Sequence, residues 1–237
     1  MELDNKKSQK DHKDSWLINF TYILIRKTLG PLIRFIWIKK VAGLENIPKK
    51  GPVIIAFNHS SYFDFFCFMA VSPRNIHYLA AEKFFNSLLW KPLMKFTGQI
   101  EVKRYVKDKR CVHDKVYCHL NNKKIIGIFP EGTRSPDGNL LRAFRGVAFY
   151  ATKLNVSVVP VGLTGTHEVM ARHDKFPKLK KIIEINVGKP VSFNEYRHVK
   201  LNKKAHQILS DKIMIKISEL IGKKYPYSAI KNNYEKI

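Results

Sequence analysis

The apolar run Val53-Ile54-Ile55-Ala56-Phe57 stops abruptly at a polar stretch, Asn58-His59-Ser60-Ser61-Tyr62-Phe63-Asp64, and apolar residues resume at Phe65-Phe66-Cys67-Phe68-Met69-Ala70. The first run has the length and β-branched content of a short buried strand. The second suits the body of a helix, with Ser60 or Ser61 placed to cap it. Strand-to-helix junctions of this kind in α/β sheets are where ligands bind. Here the junction carries a histidine, with a carboxylate five residues later. An imidazole whose second nitrogen is held by a carboxylate is a competent general base. Taken alone, His59 and Asp64 are explained better by an ordinary half-buried histidine and a helix-start charge. Only what stands downstream changes that.

The rest of the chain alternates strand and helix patterns. Strands are expected at Ile76–Ala80, Ile100–Val102, Lys124–Phe129, Val156–Leu163 and Lys181–Val187, and helices at Ser87–Thr97, Lys107–Asn122, Gly146–Leu154 and 202–223. Pro160 inside a strand predicts a bulge or an edge position. With 237 residues, no internal repeat and no low-complexity linker, the pattern predicts one α/β layered domain with a mixed central sheet flanked by helices. Its bounds are expected at 41–225, after a polar tail (1–14) and an apolar segment (15–40), and before a C-terminal tail (226–237).

The apolar segment is cut by Arg26-Lys27, by Gly30-Pro31 and by Arg34. A membrane-spanning helix needs about 20 mostly apolar residues. Two short helices joined at Gly30-Pro31 therefore fit better than one span. Interleaved aromatic and basic residues suit the headgroup region of a bilayer; the competing reading is a hairpin packed on the protein's own core. The charged first 14 residues, followed by no small-residue cleavage site, predict no cleavable leader.

Lys and Arg number 43 against 19 Asp and Glu, a formal net charge of +24. That excess calls for an anionic partner: a membrane surface, a phosphorylated substrate or nucleic acid. The charge is spread along the chain, with clusters at Lys175–Lys181 and Lys203-Lys204 that read as solvated faces, and no nucleic-acid-binding motif accompanies it. Cys67, Cys111 and Cys118 form no metal-type pair, and so sparse a set suits a reduced, cytosolic environment. No metal or cofactor site is expected.

A second loop follows the strand ending at Phe129: Pro130-Glu131-Gly132-Thr133-Arg134-Ser135. Gly132 permits close backbone approach, Thr133 offers a hydroxyl and Arg134 a planar fork for phosphate. The plain alternative is a tight turn with a Glu131–Arg134 surface ion pair. Asn58-His59-x4-Asp64 followed by Phe129-Pro130-Glu131-Gly132-Thr133-Arg134-Ser135 resembles the glycerolipid acyltransferase family, and within it the bacterial 1-acyl-sn-glycerol-3-phosphate acyltransferases. Gly98-Gln99-Ile100-Glu101-Val102-Lys103-Arg104 is similar to the family's second block and Val159-Pro160-Val161 to its fourth, both loosely. The resemblance covers about residues 15–195.

The resemblance implies transfer of an acyl chain from acyl-CoA or acyl carrier protein to the 2-hydroxyl of lysophosphatidic acid. His59 would be the general base and Asp64 its orienting partner. Arg104 and Arg134 would grip the phosphate, with Gly132 and Thr133 completing the cradle. Glu131 would hold an arginine or the acceptor, and Asn58 would fix the loop or donate toward the oxyanion. Such an enzyme is expected at the cytoplasmic face of a membrane, monotopic or peripheral. Another lysolipid acceptor, or a transacylase or esterase activity of the same pair, is the enzymatic alternative. A basic membrane- or nucleic-acid-binding protein, or a silent scaffold, is the non-enzymatic one. His167-Glu168-Val169-Met170-Ala171 lacks the second histidine of a zinc protease. No Gly-x-Ser-x-Gly elbow or glycine-rich nucleotide loop is present.

Overall fold

The protein is described here by a computed structural model covering residues 16–103, 106 and 108–227. Its strands are β1 (Ile38–Ala42), β2 (Val53–Phe57), β3 (Ile76–Ala81), β4 (Ile100–Val102), β5 (Ile125–Ile128), β6 (Val158–Thr164) and β7 (Ile183–Val187). Its helices are α1 (Trp16–Lys27), α2 (Leu29–Ile36), α3 (Phe63–Val71), α4 (Glu82–Asn86), α5 (Trp90–Phe96), α6 (Arg110–Asn121), α7 (Gly146–Leu154), α8 (Thr166–Val169) and α9 (Lys203–Ile221). The strands form a mixed sheet in the order β1-β7-β6-β2-β5-β3-β4. All pairings are parallel except β6–β7.

Every residue of β2 is buried because both faces of the sheet are covered. Val53, Ile55 and Phe57 point into one core with Phe68 and Val71 of α3. Ile54 and Ala56 point into the other, with Val116 of α6, Val147 of α7 and Ile213 of α9. Successive strand residues face opposite sides, so a doubly covered strand reads as a continuous apolar run. Parallel pairing then brings several strand ends to one edge. Ala56 lies beside Ile128 of β5, and Phe57 beside Val161 of β6. The loops after β2, β5 and β6 therefore leave the sheet side by side.

The N-terminal segment forms two helices, but the break falls at Thr28 rather than at Gly30-Pro31. Both of those residues lie in the first turn of α2, where a missing proline N–H costs nothing because no intrahelical acceptor exists there. Gly30 lies against α3: a Cβ there would sit 3.3 Å from the Ala70 carbonyl oxygen. One face of the hairpin packs inward through Tyr22, Ile25 and Ile33. The Tyr22 hydroxyl donates to the Ile76 carbonyl, and Arg26 Nη2 donates to Asn75 Oδ1 at 2.8 Å. A second apolar face, with Trp16, Phe20, Leu24, Leu32 and Phe35, stays exposed. Among the described residues no helix is long and apolar enough to cross a membrane. The apolar run does not continue as helix to Lys40: Ile38 begins β1, which pairs with β7.

Pro160 is not on an edge. Its strand lies between β2 and β7, and the irregularity is confined to the β7 side. There the pairing shifts by one residue between Val158–Val191 and Val161–Val187. The Pro160 carbonyl still accepts from Gly188 N at 2.8 Å, so only the donor is missing at that point. The helix expected from Ser87 begins at Trp90.

Candidate active site

His59 leaves the end of β2 and Asp64 sits in the first turn of α3. The loop between them folds back so that Asp64 Oδ2 accepts from three donors, each at 2.9 Å: Ser60 N, Ser61 N and His59 Nδ1. Asp64 is fully buried. A carboxylate accepts only, so the bond requires the proton on His59 Nδ1 and leaves Nε2 as the second ring nitrogen. The imidazole stacks on Phe129 at 4.0 Å between centroids, which fixes the ring plane. The hydroxyls of both neighbouring serines are engaged away from the His59 ring. Ser60 Oγ is hydrogen-bonded to Thr166 Oγ1 at 2.9 Å, and Ser61 Oγ accepts from Phe63 N, capping α3.

The loop after β5 comes against this turn. Glu131 Oε1 accepts from His59 N at 2.8 Å, Glu131 Oε2 from Leu141 N at 2.7 Å, and Ser135 N donates to His59 O at 2.7 Å. Burial pushes the Glu131 carboxyl up to about 8; the Leu141 and His59 N–H donors pull the other way, and the nearby Asp64 adds to the rise. Gly132 has φ +66°, and a Cβ there would meet the Phe144 ring at 2.8 Å. The left-handed conformation turns the chain so that Thr133 and Arg134 reach the cavity.

That cavity, of about 180 Å³, is lined by His59, Gly132, Thr133, Arg134 and a set of apolar side chains that includes Phe65, Phe66, Trp90 and Met94. Cations stand at one side of it. The Arg134 guanidinium lies 3.3 Å over the Tyr62 ring, and its Nη1 donates to the Arg172 carbonyl at 3.0 Å. Partial burial holds the Arg134 pKa below its ordinary value. Lys83 Nζ donates to Tyr62 Oη at 2.7 Å, and both Lys83 and Arg172 line the cavity. An imidazole, an apolar volume and a guanidinium-rich wall thus share one space.

His59, Asp64, Gly132, Thr133 and Arg134 are brought together as the sequence predicts. Asn58 and Glu131 are close by but do not line the cavity. The Asn58 amide is engaged by β6: Nδ2 donates to Leu163 O and Oδ1 accepts from Leu163 N, both at 2.8 Å. These two bonds tie the loop to β6, one of the two roles expected of Asn58. Glu131 forms no ion pair with Arg134 and instead holds the two loops together. Arg104 lies outside the described residues. Tyr62, Lys83 and Arg172 were not identified from the sequence; Tyr62 lies inside the first motif, whereas nothing local marks the other two. No group of His, Cys, Asp and Glu suited to a metal ion occurs among the described residues.

Fold and site define an α/β protein in which an imidazole–carboxylate pair faces an apolar cavity rimmed with cations. A family profile described as Acyltransferase matches residues 39–164. The chain belongs to the acyltransferase family. It is 30% identical over 134 residues to the 1-acyl-sn-glycerol-3-phosphate acyltransferase of Borreliella burgdorferi, covering 56% of this chain and 54% of that protein. It is 29% identical over 137 residues to a chloroplastic enzyme of the same name from Arabidopsis thaliana, covering 55% of this chain and 37% of that protein. The chain thus spans about half or less of these relatives. For the Bacillus subtilis enzyme of that name the match is 25% identical over 185 residues, 78% of this chain and 88% of that protein. The crystal structure of the Thermotoga maritima 1-acyl-sn-glycerophosphate acyltransferase shares the fold, with a TM-score of 0.69 at 20% identity over 97% of this chain and 88% of that one.

Proposed function

We propose that the protein transfers an acyl chain from a thioester, acyl-CoA or acyl carrier protein, to the 2-hydroxyl of lysophosphatidic acid, giving phosphatidic acid. The observation that carries this reading is the Asp64-braced imidazole of His59 in the same cavity as Arg134. His59 Nε2 takes the hydroxyl proton as the acceptor oxygen attacks the thioester carbonyl. The tetrahedral adduct collapses, the C–S bond breaks, and the imidazolium returns its proton to the departing thiolate. No acyl-enzyme forms, which fits the engagement of Ser60 and Ser61 elsewhere. Arg134, with Thr133 and the neighbouring Arg172, holds the phosphate, and the aromatic wall takes apolar chain.

The exposed face of the α1–α2 hairpin docks on the bilayer in this reading. Each methylene moved from lipid to water costs about 0.8 kcal/mol, so lifting a long acyl chain out costs on the order of 10 kcal/mol. An enzyme that stays on the surface avoids this.

A labelled acyl-transfer assay tests the proposal. It pairs both thioester donors with a panel of lysolipid acceptors, and wild type with His59→Ala. Transfer to the phosphate-bearing acceptor should fall by about 10²- to 10⁴-fold in the variant, with folding intact. Near-wild-type transfer by His59→Ala rules the mechanism out. Product from a phospholipid donor without thioester makes the protein a transacylase instead.

A further inference from the structure

The connection from β6 to β7 is more than a solvated basic loop. Residues 172–182 carry five cationic side chains and a single carboxylate, Asp174. Between the lysines stand Phe176, 81% exposed, and Leu179, 78% exposed, with Ile182 partly exposed. Lys175, Lys178, Lys180 and Lys181 are exposed as well. Two large apolar side chains this exposed within four residues, set among lysines, fit an interaction surface better than a single scattered apolar residue would. The backbone is also held in place. Trp37 Nε1 donates to the Lys178 carbonyl at 2.9 Å, Lys178 N donates to Val169 O at 2.8 Å, and Ala171 N donates to Asp174 Oδ2 at 3.0 Å. The loop is therefore anchored to the end of the hairpin with its apolar tips pointing away.

Its surface continues that of the hairpin. The Lys181 ammonium lies 5.4 Å from the centre of the Phe35 ring, and Phe35 is itself on the exposed face of α2. At its other end the loop supplies Arg172, whose carbonyl holds Arg134 and which is one of the residues lining the cavity. Aromatic and aliphatic tips among lysines match an anionic bilayer, with apolar groups entering the acyl boundary and ammonium groups meeting lipid phosphates. An acidic protein would pair with the lysines but would leave Phe176 and Leu179 without a role.

We propose that the Arg172–Ile182 loop is a second contact with an anionic lipid surface, beside the hairpin, and that it holds the cationic rim of the cavity against the bilayer. The inference rests on the membrane reading of the hairpin. The test is sedimentation of the full chain with phosphatidylcholine vesicles, with and without phosphatidylglycerol. Three double variants are compared with wild type: Phe176→Ser with Leu179→Ser, Lys180→Gln with Lys181→Gln, and, in the hairpin, Phe20→Ser with Phe35→Ser. Thermal unfolding confirms that each is folded. The apolar loop variant should bind both vesicle types about tenfold or more weakly. The lysine variant should lose roughly tenfold or more on anionic vesicles only. If both loop variants bind as wild type while the hairpin variant is released, the loop proposal is overturned and the hairpin reading stands. If all three bind as wild type, both readings fail. If the lysine variant keeps vesicle binding and loses transfer from the carrier-protein thioester alone, the face docks an acidic protein and the proposal is overturned.

Discussion

Glu131 and His59 stand 72 residues apart in the chain and are joined by a 2.8 Å hydrogen bond from the His59 backbone N–H to Glu131 Oε1. The carbonyl of the same histidine accepts from Ser135 N at 2.7 Å. The β5 loop therefore grips the backbone of His59 on both sides, while Asp64 and Phe129 orient its ring. In this arrangement Glu131 sets the position of the proposed base, and the phosphate-binding role in the proposed function falls to Arg134.

Glu131→Gln tests that role. A carboxylate accepts from both His59 N and Leu141 N; an amide has one acceptor and must turn its NH2 against the other donor. Above about pH 8, where the carboxylate prevails, the variant should lose about 1–3 kcal/mol of stability, with a fall in kcat larger than any change in acceptor KM. The pH dependence has a definite sign. Glu131 titrates near 4.5 when unfolded and near 8 when folded, so the folded state holds the extra proton between those values. Its contribution to stability is therefore lost as pH rises through that window, by up to about 1.4 kcal/mol per unit. Urea denaturation across the window should show this slope in wild type and its absence in the variant. Parallel slopes contradict the assignment.

Asp64→Asn removes charge while leaving an oxygen able to accept from the three donors that now meet at Oδ2. The buried amide nitrogen costs about 1–3 kcal/mol of stability. A neutral partner does not stabilise the imidazolium, so kcat should fall by about 100-fold or more with little change in either KM. Steady-state kinetics on the folded variant decide it.

Arg134→Ala should raise the KM for a phosphate-bearing acceptor by about 10- to 100-fold, the worth of a charge-assisted hydrogen bond. Arg172→Ala should raise it less, because Arg172 is the more exposed of the two. Arg134→Lys should not restore binding, since an ammonium cannot stack on Tyr62 as the guanidinium does at 3.3 Å. A defect confined to the thioester donor would reassign both arginines.

Gly132→Ala meets a backbone at φ +66° and the Phe144 ring. Phe144 is exposed and can give way. The remaining cost is the left-handed conformation, about 1–2 kcal/mol, and the chain should relax by displacing Thr133 and Arg134. A higher acceptor KM with a small loss of thermal stability is the expected pair of readings.

The hairpin's two faces should separate cleanly. Tyr22→Phe removes a buried hydroxyl bonded to Ile76 and should lower stability by about 1 kcal/mol without affecting vesicle binding. Phe20→Ser should do the reverse, since Phe20 is 54% exposed. Denaturation and vesicle sedimentation on the two variants measure both effects.

Much of this was legible because it is local. An apolar run covered on both faces is visible in β2 without knowing its neighbours, and the His59–Asp64 spacing permits a turn that closes on itself. The break between α1 and α2 was misplaced because proline at a first helical turn and proline at a helix break look alike in sequence. Pro160 signals a bulge or an edge in sequence, and the choice between them is not legible there because one missing donor says nothing about which strands flank it. Asn58 stays between fixing the loop and donating to the oxyanion in the sequence, because its own strand does not reveal that β6 takes up both ends of its amide.

The order of residues by itself determined the buried strands, the turn that sets His59 on Asp64, and the loop able to present Gly132, Thr133 and Arg134. Only the tertiary structure decided that β2, β5 and β6 lie side by side, that Glu131 supports the histidine, and that Lys83, Tyr62 and Arg172 join the cavity. The physical reason is range. Periodicity and turn chemistry act over a few residues, whereas strand order is chosen by burial of the whole sheet, and only that choice brings position 131 against 59 and position 172 against 134.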